Sequence, residues 1–199
     1  MTIIAFVRHG VTEWNKIGRA QGTTDVPLDA EGIEMAELVS ERLEKEEWDV
    51  IYTSPLIRAK KTAEIITEKQ PHLPFIVDGR LGEIGGGLIE GTTEQERIEK
   101  WGLDWRSLDM GFESAEAIIS RGLSFIEDVQ REYPEQKVLV VSHGGFIGRL
   151  LAALMPEEEF TNDIGNTSVT IVDVSEHQIK CTLFNCMKHL QHETQIILE

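Results

Sequence analysis

The feature that most constrains this chain is an unbroken apolar run over residues 3–7 that leads directly into Arg8 and His9. A short run of this kind is typical of a strand buried on both faces, as in a parallel sheet covered by helices. The pattern recurs at residues 138–141, which lead into Ser-His143. One histidine at a strand end is usually structural, whereas two copies of the pattern indicate a shared site. If both strands lie parallel in one sheet, we expect both histidines at its carboxyl edge, where open α/β folds bind ligands.

Short apolar strands alternate with helical patterns along the rest of the chain. Beyond the first run, the predicted strands cover residues 50–53, 75–77, 138–141, 169–174 and 179–184. One predicted helix covers residues 28–47, and a second starts at Ser54-Pro55. Two more cover residues 113–132 and 145–154. This alternation predicts one domain over residues 1–199, folded as a three-layer α/β/α sandwich. The sheet is expected to be mainly parallel, with an antiparallel hairpin at one edge.

Arg58 occupies an unusual position for a cation. Asp29 is expected to cap the helix of residues 28–47. Ser54 is expected to cap the next helix, which contains Arg58, with Pro55 at its first helical position. Arg58 then lies in or beside the first turn, where a cation opposes the helix dipole at a cost of about 0.3 kcal/mol or more. Two interpretations stay open: an exposed arginine, or one that grips an anion at the helix N-terminus.

The charge balance argues against several classes of partner. A net charge of −16 disfavours broad contact with nucleic acid or an anionic membrane surface. The apolar runs are far shorter than the roughly 20 residues of a membrane helix, and the first residues predict a strand rather than a signal peptide. A small anion can still bind where a few cations are focused in a cleft. Cys181 and Cys186 are expected to be free thiols in a reducing cytoplasm.

Two imidazoles and two guanidiniums at one sheet edge suit a phosphate dianion. Arginine forks match phosphate oxygens bidentately, and imidazole can act as a covalent nucleophile. Nearby cations are expected to depress the pKa of His9 and keep it neutral for attack. A carboxyl group is also needed, first to protonate a leaving alcohol and then to take a proton from water. The residues alone do not choose among the many acids.

These motifs resemble those of the histidine phosphatase superfamily, which contains cofactor-dependent phosphoglycerate mutase. The matching residues are Arg8-His9-Gly10 with Thr12 and Asn15, and Ser54-Pro55-Leu56 with Arg58-Ala59 and Thr62-Ala63. The resemblance covers most of the chain and implies the same fold, a small phosphorylated metabolite as substrate, and a phosphohistidine formed on His9. His143, Arg8 and Arg58 would then hold the phosphoryl oxygens.

The resemblance also implies a general acid/base. Leu81-Gly82-Glu83 matches the family's Leu-x-Glu motif, which points to Glu83. The chain departs from the family at three places nearby: Gly82 stands where arginine is frequent, Ile89 replaces the tryptophan of a Gly-x-Trp-Glu-Gly block, and Phe112 replaces a glycine of Gly-Gly-Glu-Ser. We expect these departures to affect substrate preference more than the catalytic step.

The candidate site therefore combines catalytic and binding residues. The expected catalytic residues are His9, Glu83, His143, Arg8 and Arg58, and the expected substrate-binding residues are Arg8, Asn15, Gln21, Gly22, Arg58, His143 and Gly144. The polar stretch of residues 10–27 is expected to be a loop that forms one wall of the site. Residues 81–112 are expected to cover it, with Trp101 and Trp105 either packing the cover or shaping selectivity.

The scheme requires no metal and no cofactor. His189-x-x-His192-Glu193 could suggest metal ligands, but without a supporting cluster we expect a solvated tail. The hairpin edge leaves a homodimer open without requiring one.

The favoured activity is hydrolysis of small phosphomonoesters. Mutases of this family carry a longer insertion with extra basic residues, whereas residues 92–112 here offer only Arg97, Lys100 and Arg106. The alternative is a cofactor-dependent phosphoglycerate mutase, and a non-catalytic module that binds phosphorylated ligands is less favoured because the catalytic residues are all retained. Activity on phosphoserine, a ribazole phosphate or a sugar bisphosphate also remains open.

Overall fold

A single six-stranded sheet forms the centre of the structure, a computed structural model that describes residues 1–160, 163–175 and 178–191. The strands are Thr2–Arg8 (β1), Val50–Thr53 (β2), Phe75–Val77 (β3), Lys137–Ser142 (β4), Val169–Val174 (β5) and Ile179–Cys186 (β6). Their spatial order is β3-β2-β4-β1-β5-β6. Strands β1 to β4 are parallel, while β5 runs antiparallel to both β1 and β6. The prediction of a mainly parallel sheet with an antiparallel hairpin at its edge is confirmed.

Helices cover both faces of this sheet. They are Glu13–Lys16 (α1), Ala30–Leu43 (α2), Ile57–Lys69 (α3), Glu94–Trp101 (α4), Ala115–Glu132 (α5) and Gly144–Leu154 (α6). Alternate side chains of β1 point to opposite faces. Ala5 and Val7 pack in one apolar cluster with α2 and α3, and Ile4 and Phe6 pack in another with α5 and α6. The three-layer sandwich is therefore confirmed.

The register of β1 and β4 brings the two histidines to one edge. Arg8 pairs with Ser142, so that His9 and His143 follow neighbouring parallel strands at the same level. The His9 backbone N–H donates to the Ser142 carbonyl at 3.0 Å. The expectation that both copies of the strand-His pattern converge is confirmed.

The start of α3 differs from the prediction. Asp29 caps α2 as expected, accepting from the Gly32 N–H at 2.8 Å. Helix α3, however, begins at Ile57 rather than at Ser54-Pro55, and its first N–H donates to the Asp25 carboxylate at 2.6 Å. A side chain from a distant loop takes the place of the local serine cap, and local sequence patterns do not report such a contact.

Two further local predictions are wrong. The polar stretch of residues 10–27 contains a helical turn, α1, which has a capping box formed by Thr12 and Asn15. His189 is not part of a solvated tail: it is half-buried in a short 3₁₀ helix, and its Nε2 lies 3.0 Å from the Thr167 hydroxyl. His192 and Glu193 lie outside the described residues.

Three further observations concern the cysteines, the length of the helices and the edge of the sheet. Cys181 and Cys186 are both free, as expected. Within the described ranges, no helix is both long enough and apolar enough to cross a membrane. Strand β6 ends the sheet on one side, and its pairing with a second subunit stays a prediction.

Candidate active site

The rings of His9 and His143 lie side by side at the carboxyl edge of the sheet. Their centroids are 5.1 Å apart, and the two residues are 2% and 0% exposed. Burial of this degree, together with the guanidiniums of Arg58 and Arg8, lowers the pKa of both histidines well below the ordinary 6.5. Both imidazoles are therefore neutral at pH 7. Nearby cations were expected to lower the pKa of His9, and the structure adds burial as the larger cause.

The hydrogen bonds of His9 define which of its nitrogens is free. Nδ1 lies 2.6 Å from the Gly10 carbonyl, which can only accept, so Nδ1 carries the proton. Nε2 therefore carries a lone pair, and the Nε–H of Arg58 donates to it at 3.3 Å. The Asn166 side chain donates to the His9 carbonyl at 2.9 Å, and the Gly10 N–H donates to Thr62 at 3.1 Å. This arrangement suits attack by Nε2.

Arg58 is completely buried, which excludes the interpretation of an exposed arginine. Its two terminal nitrogens donate to the carbonyls of Thr24 at 2.9 Å and Gly22 at 2.8 Å. Burial lowers its pKa to about 10, so the guanidinium stays charged at neutral pH. The Nε–H of Arg58 is directed at His9. Asp25 already accepts from the first N–H of α3, so Arg58 does not flank a vacant helix N-terminus.

Arg8, which directly precedes His9, provides a second cation and is half-buried. Its Nη1 donates to the Ile164 carbonyl, while its Nε is buried without a partner among the described residues. A Cβ at Gly144 would lie 3.2 Å from that Nε, so the absence of a side chain at Gly144 allows the arginine to pack against the backbone. Burial is the main cause of the lowered pKa of Arg8.

Neither guanidinium has an acidic partner in direct contact. Among the described residues, every ion pair within 4.0 Å involves other cations than Arg8 and Arg58. A buried charge without a counter-charge is costly. The edge of the sheet therefore has an excess of buried positive charge, which an anion would balance.

The carboxylate of Glu83 lies at the N-terminus of α6, the helix that begins directly after His143. Its carboxylate accepts from the N–H groups of Phe146 at 2.9 Å and Gly145 at 3.2 Å. Arg121 supports the segment that carries Glu83, because it donates to the Gly82 carbonyl at 2.8 Å. The structure thus brings the predicted acid to the same edge as the two histidines.

His143 has one nitrogen engaged and one free. Its Nε2 lies 2.8 Å from the Ser54 hydroxyl, whose oxygen accepts from the Leu56 N–H at 3.2 Å and whose proton can be donated to Nε2, so that Nδ1 carries the ring proton. Its Nδ1 is buried and has no partner among the described residues. Ser54 was expected only as a helix cap; its second role depends on a contact between residues 89 positions apart.

The remaining binding candidates fall into two groups. Gly22 reaches the site through its carbonyl on Arg58, and Gln21 is buried with an unpartnered Oε1. Asn15 instead uses its side-chain oxygen to cap α1, accepting from the Thr12 N–H at 3.1 Å. The sequence motifs include Thr62 and Glu90 but predict no role for either side chain. Reasoning from the sequence also missed the supporting side chains of Arg121 and Asn166.

Comparisons with known proteins agree with this geometry. A family model of the histidine phosphatase superfamily (branch 1) matches residues 4–187. The chain is 35% identical over 193 residues to the uncharacterized phosphatase PhoE of Bacillus subtilis, covering 96% of this chain and 97% of that protein. It is 31% identical over 201 residues to phosphoserine phosphatase 1 of Hydrogenobacter thermophilus, covering 96% and 95% of the two chains.

A solved structure shows the same fold. YhfR of Bacillus stearothermophilus superposes with a TM-score of 0.84 at 29% identity, covering 96% of this chain and all of that one. The matched range includes both histidines, Arg8, Arg58 and Glu83. The chain therefore belongs to the histidine phosphatase superfamily.

Proposed function

We propose that this protein hydrolyses small phosphomonoesters through a phosphohistidine formed on His9. One observation carries the proposal: fully buried Arg58 and half-buried Arg8 have no acidic partner in contact among the described residues, and Arg58 donates to the lone pair of a neutral His9. This combination places uncompensated positive charge beside an imidazole nitrogen that can attack phosphorus once Arg58 donates to the phosphoryl group instead. Such a site suits a phosphoryl group, whose transfer depends mainly on positioning and charge stabilisation.

The reaction would proceed in two displacements. Nε2 of His9 attacks phosphorus, the bond to the ester oxygen breaks, and protonated Glu83 gives its proton to the leaving alcohol. Water then attacks the phosphohistidine and gives a proton to Glu83, and the bond from nitrogen to phosphorus breaks to release phosphate. In both steps Arg8, Arg58 and the free Nδ1 of His143 would stabilise the phosphoryl oxygens.

The 81–112 segment supports a phosphatase over a mutase. We infer that this segment covers the site, and its cations have partners of their own. Arg97 and Arg106 both pair with Glu94, at 3.4 and 2.8 Å, and both guanidiniums lie near the Trp105 ring, 5.2 and 4.4 Å from its centre. Lys100 lies 4.5 Å from the Trp101 ring centre. These cations are therefore poorly placed to bind the carboxylate of a phosphoglycerate.

Metal independence and location are part of the same proposal. The guanidiniums of Arg8 and Arg58 would supply the positive charge that a metal would otherwise provide. Among the described residues, no group of three or more potential ligands is placed to hold a metal ion. The free thiols Cys181 and Cys186 support a location in a reducing cytoplasm. The interpretation of residues 1–199 as one domain also stays part of the proposal.

Phosphorus NMR with 3-phosphoglycerate, with and without 2,3-bisphosphoglycerate, tests the proposal together with a panel of phosphomonoesters. Release of inorganic phosphate alone is expected. The appearance of 2-phosphoglycerate would instead show a mutase, and the absence of turnover across the panel would leave a binding module as the better description. His9→Ala should abolish turnover, whereas the exposed His72 provides a control substitution, His72→Ala, that should not.

A further inference from the structure

Glu90 connects the 81–112 segment to a loop on the opposite side of the site. It follows the short 3₁₀ helix Gly87–Ile89 and is half-buried. Its carboxylate accepts from the Thr23 N–H at 2.9 Å, the Thr24 hydroxyl at 3.0 Å and the Gly86 N–H at 2.8 Å. One side chain therefore ties the loop of residues 22–24 to the segment of residues 86–90.

The same loop provides the two carbonyls that hold Arg58. Gly22 and Thr24 accept from the two terminal nitrogens of its guanidinium, and the intervening Thr23 is bonded to Glu90. Because Arg58 is fully buried and has no ion pair among the described residues, these carbonyls and His9 account for its hydrogen bonds. The orientation of the guanidinium thus depends on the position of the 22–24 loop.

The packing at Gly22 shows how closely the carboxylate approaches this loop. Gly22 has a φ of +51°, a conformation that favours glycine, and a Cβ there would collide with the Glu90 carboxylate. Burial acts to raise the pKa of Glu90, but bonds from Thr23, Gly86 and Thr24 outweigh it and hold the pKa below 4.5. The carboxylate is therefore charged at neutral pH and is a strong acceptor for the loop.

We propose that Glu90 is a positioning residue: it fixes the 22–24 loop so that Arg58 is held in the orientation that binds the phosphoryl group. The inference rests on the proposed function, since it takes phosphate as the ligand of Arg58. It gives a role to a carboxylate that bridges the predicted cover and the phosphate site.

Affinity for inorganic phosphate and for vanadate is the appropriate readout, because it reports on Arg58 even if no substrate has been found. Replacing a hydrogen-bonded carboxylate removes bonds to a charged group, so Glu90→Ala should weaken both affinities about tenfold. Glu90→Gln keeps one acceptor oxygen and should recover part of the loss. Unfolding midpoints show whether each variant is folded.

Glu96→Gln is the matched control. Glu96 lies in the same segment, accepts from the Thr93 N–H at 2.8 Å and pairs with Arg19 at 2.8 Å, but it makes no hydrogen bond to the 22–24 loop. Its substitution should leave phosphate affinity unchanged. An equal loss in Glu96→Gln and Glu90→Gln would show a general effect on the segment and would overturn the proposal.

A double-mutant cycle tests whether Glu90 acts through Arg58. Arg58→Lys keeps a charge but loses the fork that both carbonyls hold, so Glu90→Ala should have much less effect in that background. The same tenfold loss in both backgrounds, or unchanged phosphate affinity in a folded Glu90→Ala protein, would contradict the proposal. If Glu90→Ala does not fold, Thr24→Val removes one bond to Glu90 and leaves the Thr24 carbonyl in place.

Wild-type results separate this proposal from the proposed function. Wild-type protein that binds phosphate but hydrolyses no phosphomonoester would contradict the proposed function while the role of Glu90 stays measurable. Normal hydrolysis with no effect of Glu90→Ala on phosphate affinity or on KM would contradict only the role of Glu90.

Discussion

The chemistry of the site depends at the residue scale on one atom, Nε2 of His9. The ring proton lies on Nδ1, which donates to the Gly10 carbonyl, so Nε2 keeps a lone pair. Burial disfavours the binding of a second proton. Arg58 donates to the same lone pair at 3.3 Å, so this N–H must turn from Nε2 to a phosphoryl oxygen before the ring can attack phosphorus. The guanidinium therefore lies beside the proposed nucleophile before substrate arrives, and binding requires a local change of hydrogen-bond partner.

The lowered pKa of His9 predicts the pH profile. A group whose pKa is lowered stays neutral until the pH falls below that lowered value, so His9 remains a nucleophile below the ordinary histidine pKa of 6.5. We expect kcat/KM to show no loss attributable to histidine protonation as the pH is lowered through 6.5. The measurement is a pH–rate profile corrected for ionisation of the substrate. Activity that rises only well above 6.5 would contradict the assignment.

The role of Glu83 can be tested through the leaving group. Glu83→Gln removes the proton donor, and general acid catalysis typically contributes about 100-fold or more. We expect kcat/KM, which reports on formation of the phosphohistidine, to fall by that factor for an alkyl phosphate and to fall much less for p-nitrophenyl phosphate, because its leaving group needs no proton. Because Glu83 also accepts N–H bonds from α6, the unfolding free energy must be measured in parallel. Equal losses for both substrates would point to a structural role.

The junctions between strands and loops are the decisive feature at the element scale. Thr167 precedes β5 and has a φ of +54°, which is strained for a threonine. Its N–H donates to the carbonyls of Arg8 and His9 at 3.0 and 3.3 Å, and its hydroxyl meets His189. The strained turn thus holds the backbone of the nucleophile, and the His189 contact explains why threonine can occupy it.

Helix α2 offers a stability test at this scale. Asp29 caps the helix and also pairs with Lys16 at 2.7 Å, so Asp29→Ala should lower the unfolding free energy by about 1 kcal/mol in urea while kcat/KM is unchanged. Burial raises the pKa of Asp29, but the bonds from Lys16 and Gly32 outweigh it and keep the pKa below 3.8. The stabilisation is therefore present above 3.8 and is lost as the pH falls through the lowered value.

Glu31→Ala is the matched control for this test. Glu31 pairs with the same lysine at 2.9 Å, but it does not cap the helix. An exposed ion pair contributes little, so its removal should change the unfolding free energy much less than Asp29→Ala does. Equal effects of the two substitutions would assign the stabilisation to the Lys16 pairs instead of the cap.

The whole molecule combines a strongly acidic chain with two cations, fully buried Arg58 and half-buried Arg8, at one edge of the sheet. The net charge is −16, yet Arg8 and Arg58 lie at one edge of the sheet and carry no direct acidic partner among the described residues. A few buried cations can bind a small dianion despite the overall charge, because low-dielectric walls strengthen local fields. Broad contact with nucleic acid is not favoured by the same surface.

Metal independence is a prediction about the whole molecule. If Arg8, Arg58 and His143 supply all the positive or hydrogen-bonding groups that the phosphoryl oxygens need, turnover should not change after dialysis against EDTA. The measurement is phosphate release by treated and untreated protein, with added Mg²⁺ as a second arm. Loss of activity with EDTA and its recovery with a divalent cation would contradict the metal-free scheme.

Local patterns were sufficient for much of the architecture. The apolar runs at residues 3–7 and 138–141 predict strands, and the alternation with helices predicts the layered fold, because burial on both faces of a parallel sheet demands continuous apolar stretches. The same logic placed His9 and His143 at one edge. Local helix chemistry left two interpretations of Arg58, an exposed side chain or one that binds an anion. The family resemblance and the structure were needed to place Arg58 in the site.

Short-range patterns predict a mainly parallel sheet between helical layers and, through it, the convergence of the two histidines, because apolar runs and helical periodicity are local properties of a sequence. Long-range packing fixes the groups that orient the site: Asp25 on the start of α3, Ser54 on His143, and Glu90 on the loop that holds Arg58. Each is a hydrogen bond between residues far apart in the chain. Its existence depends on the packed distance between two elements, which no local pattern encodes.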